Sequence, residues 1–164
     1  MTIKGYACHW NKPNGNHEIV TPESFTKVLQ EVQEGKKIPI NFNHNDDIIL
    51  GSITNFYRDD VGLYIVANLN EEVSYVRDYV QPLIVDGTLD CFSTEGWIPR
   101  DMIYRNADNT YLAKEFNLTA VAIVTNPADT AARFTQNSQN LHCFNGYEEV
   151  TTEKRQVNKY LHIL

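Results

Sequence analysis

Pro39-Ile40-Asn41-Phe42-Asn43-His44-Asn45, with Ile49-Leu50-Gly51-Ser52-Ile53 close behind it, is the stretch on which the reading of this chain turns. Ile38 to Phe42 has the apolar content of a strand, and it delivers a single histidine into a polar loop. Farther on stands its counterpart, Gly87-Thr88-Leu89-Asp90-Cys91-Phe92-Ser93-Thr94-Glu95-Gly96, where Leu89 to Trp97 reads as a strand carrying Ser93. Serine is a poor nucleophile at neutral pH unless a positioned base takes its proton, and histidine is the usual base. Either segment alone says little. In this order they offer the two halves of a nucleophilic site.

Working outward, Ile3 to His9 reads as a strand closed by the loop Asn11-Lys12-Pro13-Asn14-Gly15-Asn16. A helix follows, with Thr21 as its cap, Pro22 in the first position and Glu23 at the positive end of the dipole. Phe25, Val28, Leu29 and Val32 form its apolar stripe, and Gly35 suits its stop. Leu50 to Tyr57 and Val61 to Leu69 read as a hairpin around Arg58-Asp59-Asp60. Asn70 can cap a second helix with Val73, Val76 and Val80 on one face, which Pro82 interrupts and Gly87 ends. Leu112 to Val124 reads as one further strand before the turn Thr125-Asn126-Pro127-Ala128-Asp129. The pattern predicts an α+β domain over residues 1–134, its mostly antiparallel, barrel-like β-sheet interrupted by two inserted helices.

Residues 135–164 change in character. Gln136-Asn137-Ser138-Gln139-Asn140 reads as a polar linker, and Val150, Val157, Leu161 and Leu164 fall on one helical face. That face predicts a C-terminal helical arm, docked either on its own domain or on a partner, self-association included.

A chain of 164 residues suits one domain with a real core. Its formal charge of -7 and its fourteen scattered Lys and Arg residues argue against a nucleic-acid partner. Cys8, Cys91 and Cys143 form no CxxC and no even set, which fits a reducing compartment. The first residues have no signal-peptide core, and no run is long enough for a bilayer, so no membrane association is expected. Cys8-His9 and His142-Cys143 are adjacent pairs whose side chains diverge on a strand, so neither a metal site nor any cofactor is expected.

The order of these motifs resembles that of tailed-phage prohead proteases, the capsid maturation enzymes distantly related to herpesvirus assemblins. The resemblance runs from about Gly5 to Ala132. Gly5-Tyr6-Ala7 is similar to the family's opening strand, and Glu18 to Phe25 to the entry into its first helix. Phe42-Asn43-His44-Asn45 with Leu50-Gly51-Ser52-Ile53 is similar to the histidine motif, and Val61-Gly62-Leu63-Tyr64 to a hairpin arm. Gly87-Thr88-Leu89 through Gly96 resembles the nucleophile strand, and Leu118 to Val124 with Asn126-Pro127-Ala128-Asp129 the last strand and its turn.

The resemblance implies a serine endopeptidase that cleaves scaffold and major capsid proteins within an immature phage head in the host cytoplasm. Ser93 is then the nucleophile and His44 the general base. Thr94 should point to the opposite face of the strand from Ser93, and Cys91, two residues before it, reads as packing. The family's acid falls at Ala120 here, which leaves the third member open. Glu115 on the same expected strand is the first candidate, with Glu95 and Asp90 as other acids and His9 or His17 as a second histidine. The empty acid position keeps an alternative in view, a protease-fold protein without catalysis that serves as a structural part of the virion.

Overall fold

The computed structural model describes residues 1–136 and 148–151. In chain order the elements are β1 (Thr2–His9), β2 (Glu18–Val20), α1 (Thr26–Gln33), β3 (Pro39–Phe42), β4 (Asn45–Arg58) and β5 (Gly62–Leu69). They continue with α2 (Gln81–Val85), β6 (Cys91–Trp97), β7 (Ile103–Arg105), β8 (Tyr111–Ala113), β9 (Asn117–Val124), β10 (Phe134–Gln136) and β11 (Glu148–Thr151). The main sheet runs β10-β1-β5-β4-β3-β9-β6, and β11 adds to β4. A small second sheet, β2-β8-β7, lies apart from it.

The main sheet curls because its two ends meet. Phe92 N–H donates to Ala132 O at 2.8 Å and Phe134 N–H to Asp90 O at 2.8 Å, tying the start of β6 to the strand at the far end of the order. The result is a half-barrel. Inside it Ile3, Ile40, Leu50, Phe56, Leu63, Ile65, Phe92 and Ile123 are fully buried. Helix α1 closes one side with Val28, Leu29 and Val32, the faces that the 3.6-residue period predicts. Thr21 N–H donates to Ser24 Oγ at 2.8 Å, and Ser24 Oγ donates to Ala113 O at 2.6 Å, so the entry into this helix is pinned to β8.

Several expectations are corrected. The sheet is mixed rather than mostly antiparallel, since β3 pairs β9 in parallel and β2 pairs β8 in parallel. Leu112 to Val124 is two strands in two sheets, with Lys114, Glu115 and Phe116 between them. The alternation of Leu118 and Ala120 with polar neighbours conceals that break because Phe116 continues it, stacking on Phe25 with ring centroids 5.2 Å apart. In the second helix Val76 and Val80 are buried as expected, whereas Val73 is 41% exposed. Pro82 does not break that helix: the turn before it, Val76–Val80, widens to π-helical spacing and α2 carries on.

The C-terminal reading also changes where it can be followed. Thr135 and Gln136 belong to β10, paired with β1, so the strand runs across the expected boundary at residue 134. Val150 lies in β11, whose four residues pair with Asn55–Arg58 of β4, and so it follows a strand and not a helix. Val157, Leu161 and Leu164 lie outside the described residues. Among the described residues no helix is long and apolar enough to cross a membrane.

Candidate active site

His44 sits at the tip of the hairpin that joins β3 to β4. Phe42 pairs with Asn45, and the two residues between them, Asn43 (φ 52°) and His44 (φ 58°), both have positive φ. Such a turn matches the twist of a two-stranded ribbon and favours Asn at these positions. His44 pays no packing role there: it is held out from the sheet with a side chain 44% exposed. Its Nδ1 lies 2.9 Å from Glu95 Oε2.

Glu95 reaches His44 across a strand. In the register of β6 on β9, Glu95 stands opposite Ala120 and Ser93 opposite Ala122. Asn41 of β3 is the partner of Ala122 from the other side. Directly opposed residues share a face of a sheet, and so do residues two apart on one strand. Asn41, Ala120, Ala122, Ser93 and Glu95 therefore face the same way, with two small side chains in the middle row. The Glu95 carboxylate crosses over that row, accepting from Asn41 Nδ2 at 3.1 Å as well as meeting His44.

The protonation states follow from this geometry. Burial pushes the Glu95 carboxyl up, but the Asn41 amide and then His44 outweigh it and hold Glu95 below its ordinary value. An ionised carboxylate only accepts, so the Nδ1 that faces it carries a proton, and in the neutral imidazole this leaves the lone pair on Nε2. That is the tautomer a general base needs.

The other candidates are placed elsewhere. Glu115 ion-pairs with Lys27 at 2.8 Å and accepts from Asn117 at 2.9 Å, so the expected third member serves a different contact and Glu95 stands behind the imidazole. Asp90 accepts from the Cys91 thiol and from Arg133. Burial and then Asp90 push that thiol up to about 11, which makes it a packed proton donor and not a nucleophile. His17 is a turn residue with φ 61°. His9 pairs with Asp129, Nδ1 to Oδ2 at 2.7 Å, and fastens the Pro-Ala turn to β1.

A cleft of about 320 Å³ opens beside His44 and Glu95, walled by Gly96, Trp97, Ile103 and Phe116. Ser93 is 6% exposed and lines a smaller neighbouring cavity together with Cys8, His9 and Asp129; Thr94 borders both spaces. Ser93 and His44 are brought to one face of the sheet, but no hydrogen bond joins them among the described residues. Two groups were within reach of the sequence. Glu95 is two residues from Ser93 on a strand, the spacing that shares a face, and Asn41 is a polar interruption of an otherwise apolar strand.

Compared with known proteins, residues 1–145 match the family model described as Caudovirus prohead serine protease. No curated protein sequence matches significantly. Among solved structures, the chain is similar to the protease of Kaposi's sarcoma-associated herpesvirus in complex with a hexapeptide phosphonate inhibitor. That match has a TM-score of 0.55 at 13% identity and covers 81% of this chain and 63% of that one. The varicella-zoster virus protease matches with a TM-score of 0.49 at 19% identity, over 81% of this chain and 62% of that one. The likeness at these identities is one of fold, and the chain spans less than two thirds of either herpesvirus protease.

Proposed function

The chain belongs to the caudovirus prohead serine protease family, and from that premise we propose that it is a serine endopeptidase of capsid maturation. Its substrates are the scaffold and major capsid proteins of its own phage, cut within the immature head in the host cytoplasm. The observation that carries this reading is the contact between His44 Nδ1 and Glu95 Oε2 on the face of β6 that Ser93 shares. The solvent-exposed imidazole beside an open cleft has a carboxylate behind it and a hydroxyl on the same strand as that carboxylate.

In this mechanism the Ser93 hydroxyl attacks the scissile carbonyl while His44 Nε2 takes its proton. The imidazolium, stabilised by Glu95, then protonates the leaving amine. Water, activated by the same nitrogen, releases the acyl group and restores the serine. The reaction requires Nε2 to close on Ser93 from where it stands, a tightening that substrate binding commonly brings to such pairs.

One observation favours a second reading, a protease fold kept as a structural part of the virion: Ser93 is almost fully covered and unbonded to His44. Co-expression with the scaffold and major capsid proteins of the same phage decides between them. Ser93→Ala and His44→Asn should each abolish processing, as read by intact mass, and the double variant should be no worse than either alone. Normal processing by Ser93→Ala removes the assignment.

A further inference from the structure

Asn41 stands in the middle of β3 with no exposed surface, between Ile40 and Phe42. A strand flanked by β4 and β9 would take a branched apolar residue there more readily. Its Nδ2 donates to Glu95 Oε2 at 3.1 Å and to Asp46 Oδ1 at 3.3 Å. Both acceptors are carboxylates, so the nitrogen end of the amide must face them. The carbonyl end is left buried without a partner among the described residues. A buried acceptor left unsatisfied is a cost that folding alone gives no reason to keep.

The two bonds meet on one atom. Glu95 Oε2 receives both Asn41 Nδ2 and His44 Nδ1, so the amide determines where that oxygen stands, and the oxygen determines which way the imidazole turns. We propose that Asn41 is a positioning residue which, through Glu95, holds His44 in the Nδ1–H form with Nε2 free for the nucleophile. The inference rests on His44 being the base of the proposed reaction, and its test is independent of turnover.

The test is the tautomer of His44 in the full chain, read from imidazole 15N shifts at about pH 8, where imidazoles are neutral. Wild type should show Nδ1 protonated. Asn41→Leu should lose that preference and give a mixture of tautomers, with the Nδ1 proton exchanging faster, in the same direction as Glu95→Gln. Asp46→Ala, a change at an exposed position, should shift the mixture less but with the same sign, because it removes one of the two anchors of the amide. A folded Asn41→Leu with the wild-type tautomer and exchange rate overturns the proposal. Should that variant fail to fold, an unchanged tautomer in Asp46→Ala does so. If the tautomer follows Asn41 while processing is indifferent to Ser93, the positioning role stands and the protease reading fails.

Discussion

Glu95 and Ala120 stand opposite each other in the register of β6 and β9, and their sizes are complementary. The position at which the resemblance set the family's acid is filled by a methyl group, and the strand beside it sends a carboxylate to the histidine. Ala120→Glu would therefore not restore a missing group. It would set two carboxylates side by side in a partly covered site, where one must stay protonated or move away. The expected outcome is loss of processing and a lower melting temperature, checked by co-expression and thermal unfolding. Glu95→Gln should cost on the order of 10²–10⁴-fold in turnover, the scale set by losing the acid behind a catalytic imidazole. Stability gives a second measure. A carboxyl held below its ordinary value of about 4.5 stabilises the fold above that pH and loses its contribution as pH falls through the lowered value. The stability gap between wild type and Glu95→Gln should thus be constant above the ordinary value and close below it in denaturant titrations.

At the scale of elements, the sequence is legible wherever a period and its punctuation agree. The stripe of α1 and the stop at Gly35, with φ 112°, follow from local rules, as do the arms of the β4–β5 hairpin. Leu112 to Val124 is not legible in this way, because no Gly or Pro marks the break and Phe116 extends the alternation of Leu118 and Ala120 while the chain passes from one sheet to the other. Glu115, the first acid candidate, falls in the link between the two strands, where it ion-pairs with Lys27. The β3–β4 turn carries a consequence for mutagenesis. His44 occupies left-handed backbone, which Asn and Gly tolerate and Ala does not. His44→Ala should therefore lose about 1 kcal/mol more stability than His44→Asn, although both are expected to abolish processing. Equal melting temperatures for the two variants would show that the turn relaxes. His44→Asn is the cleaner probe of chemistry.

Over the whole molecule, the main sheet closes on itself at one place and is extended at another. Closure runs through Ala132 and Phe134, near the point where the domain was expected to end. Extension runs through β11. The first part of the long β4 pairs with β3, and beyond Ser52 its partners are β5 on one side and, over Asn55–Arg58, β11 on the other. The linear pattern of apolar residues could not reveal this, because strand pairing across so long a separation leaves no local period. Removing residues 141–164 would strip β11 and leave the N–H and C=O groups of Asn55–Arg58 unpaired on that side. An unpaired strand edge both weakens the sheet and invites another chain. The truncated protein should still fold cooperatively, since the core described among residues 1–136 lies in the part that remains. Its melting temperature should fall by several degrees, in line with a loss of about 1–3 kcal/mol, and its tendency to self-associate should rise, as read by light scattering after size exclusion. Unchanged stability with weaker association would assign the C-terminal segment the second of the two roles expected of it, an arm for a partner.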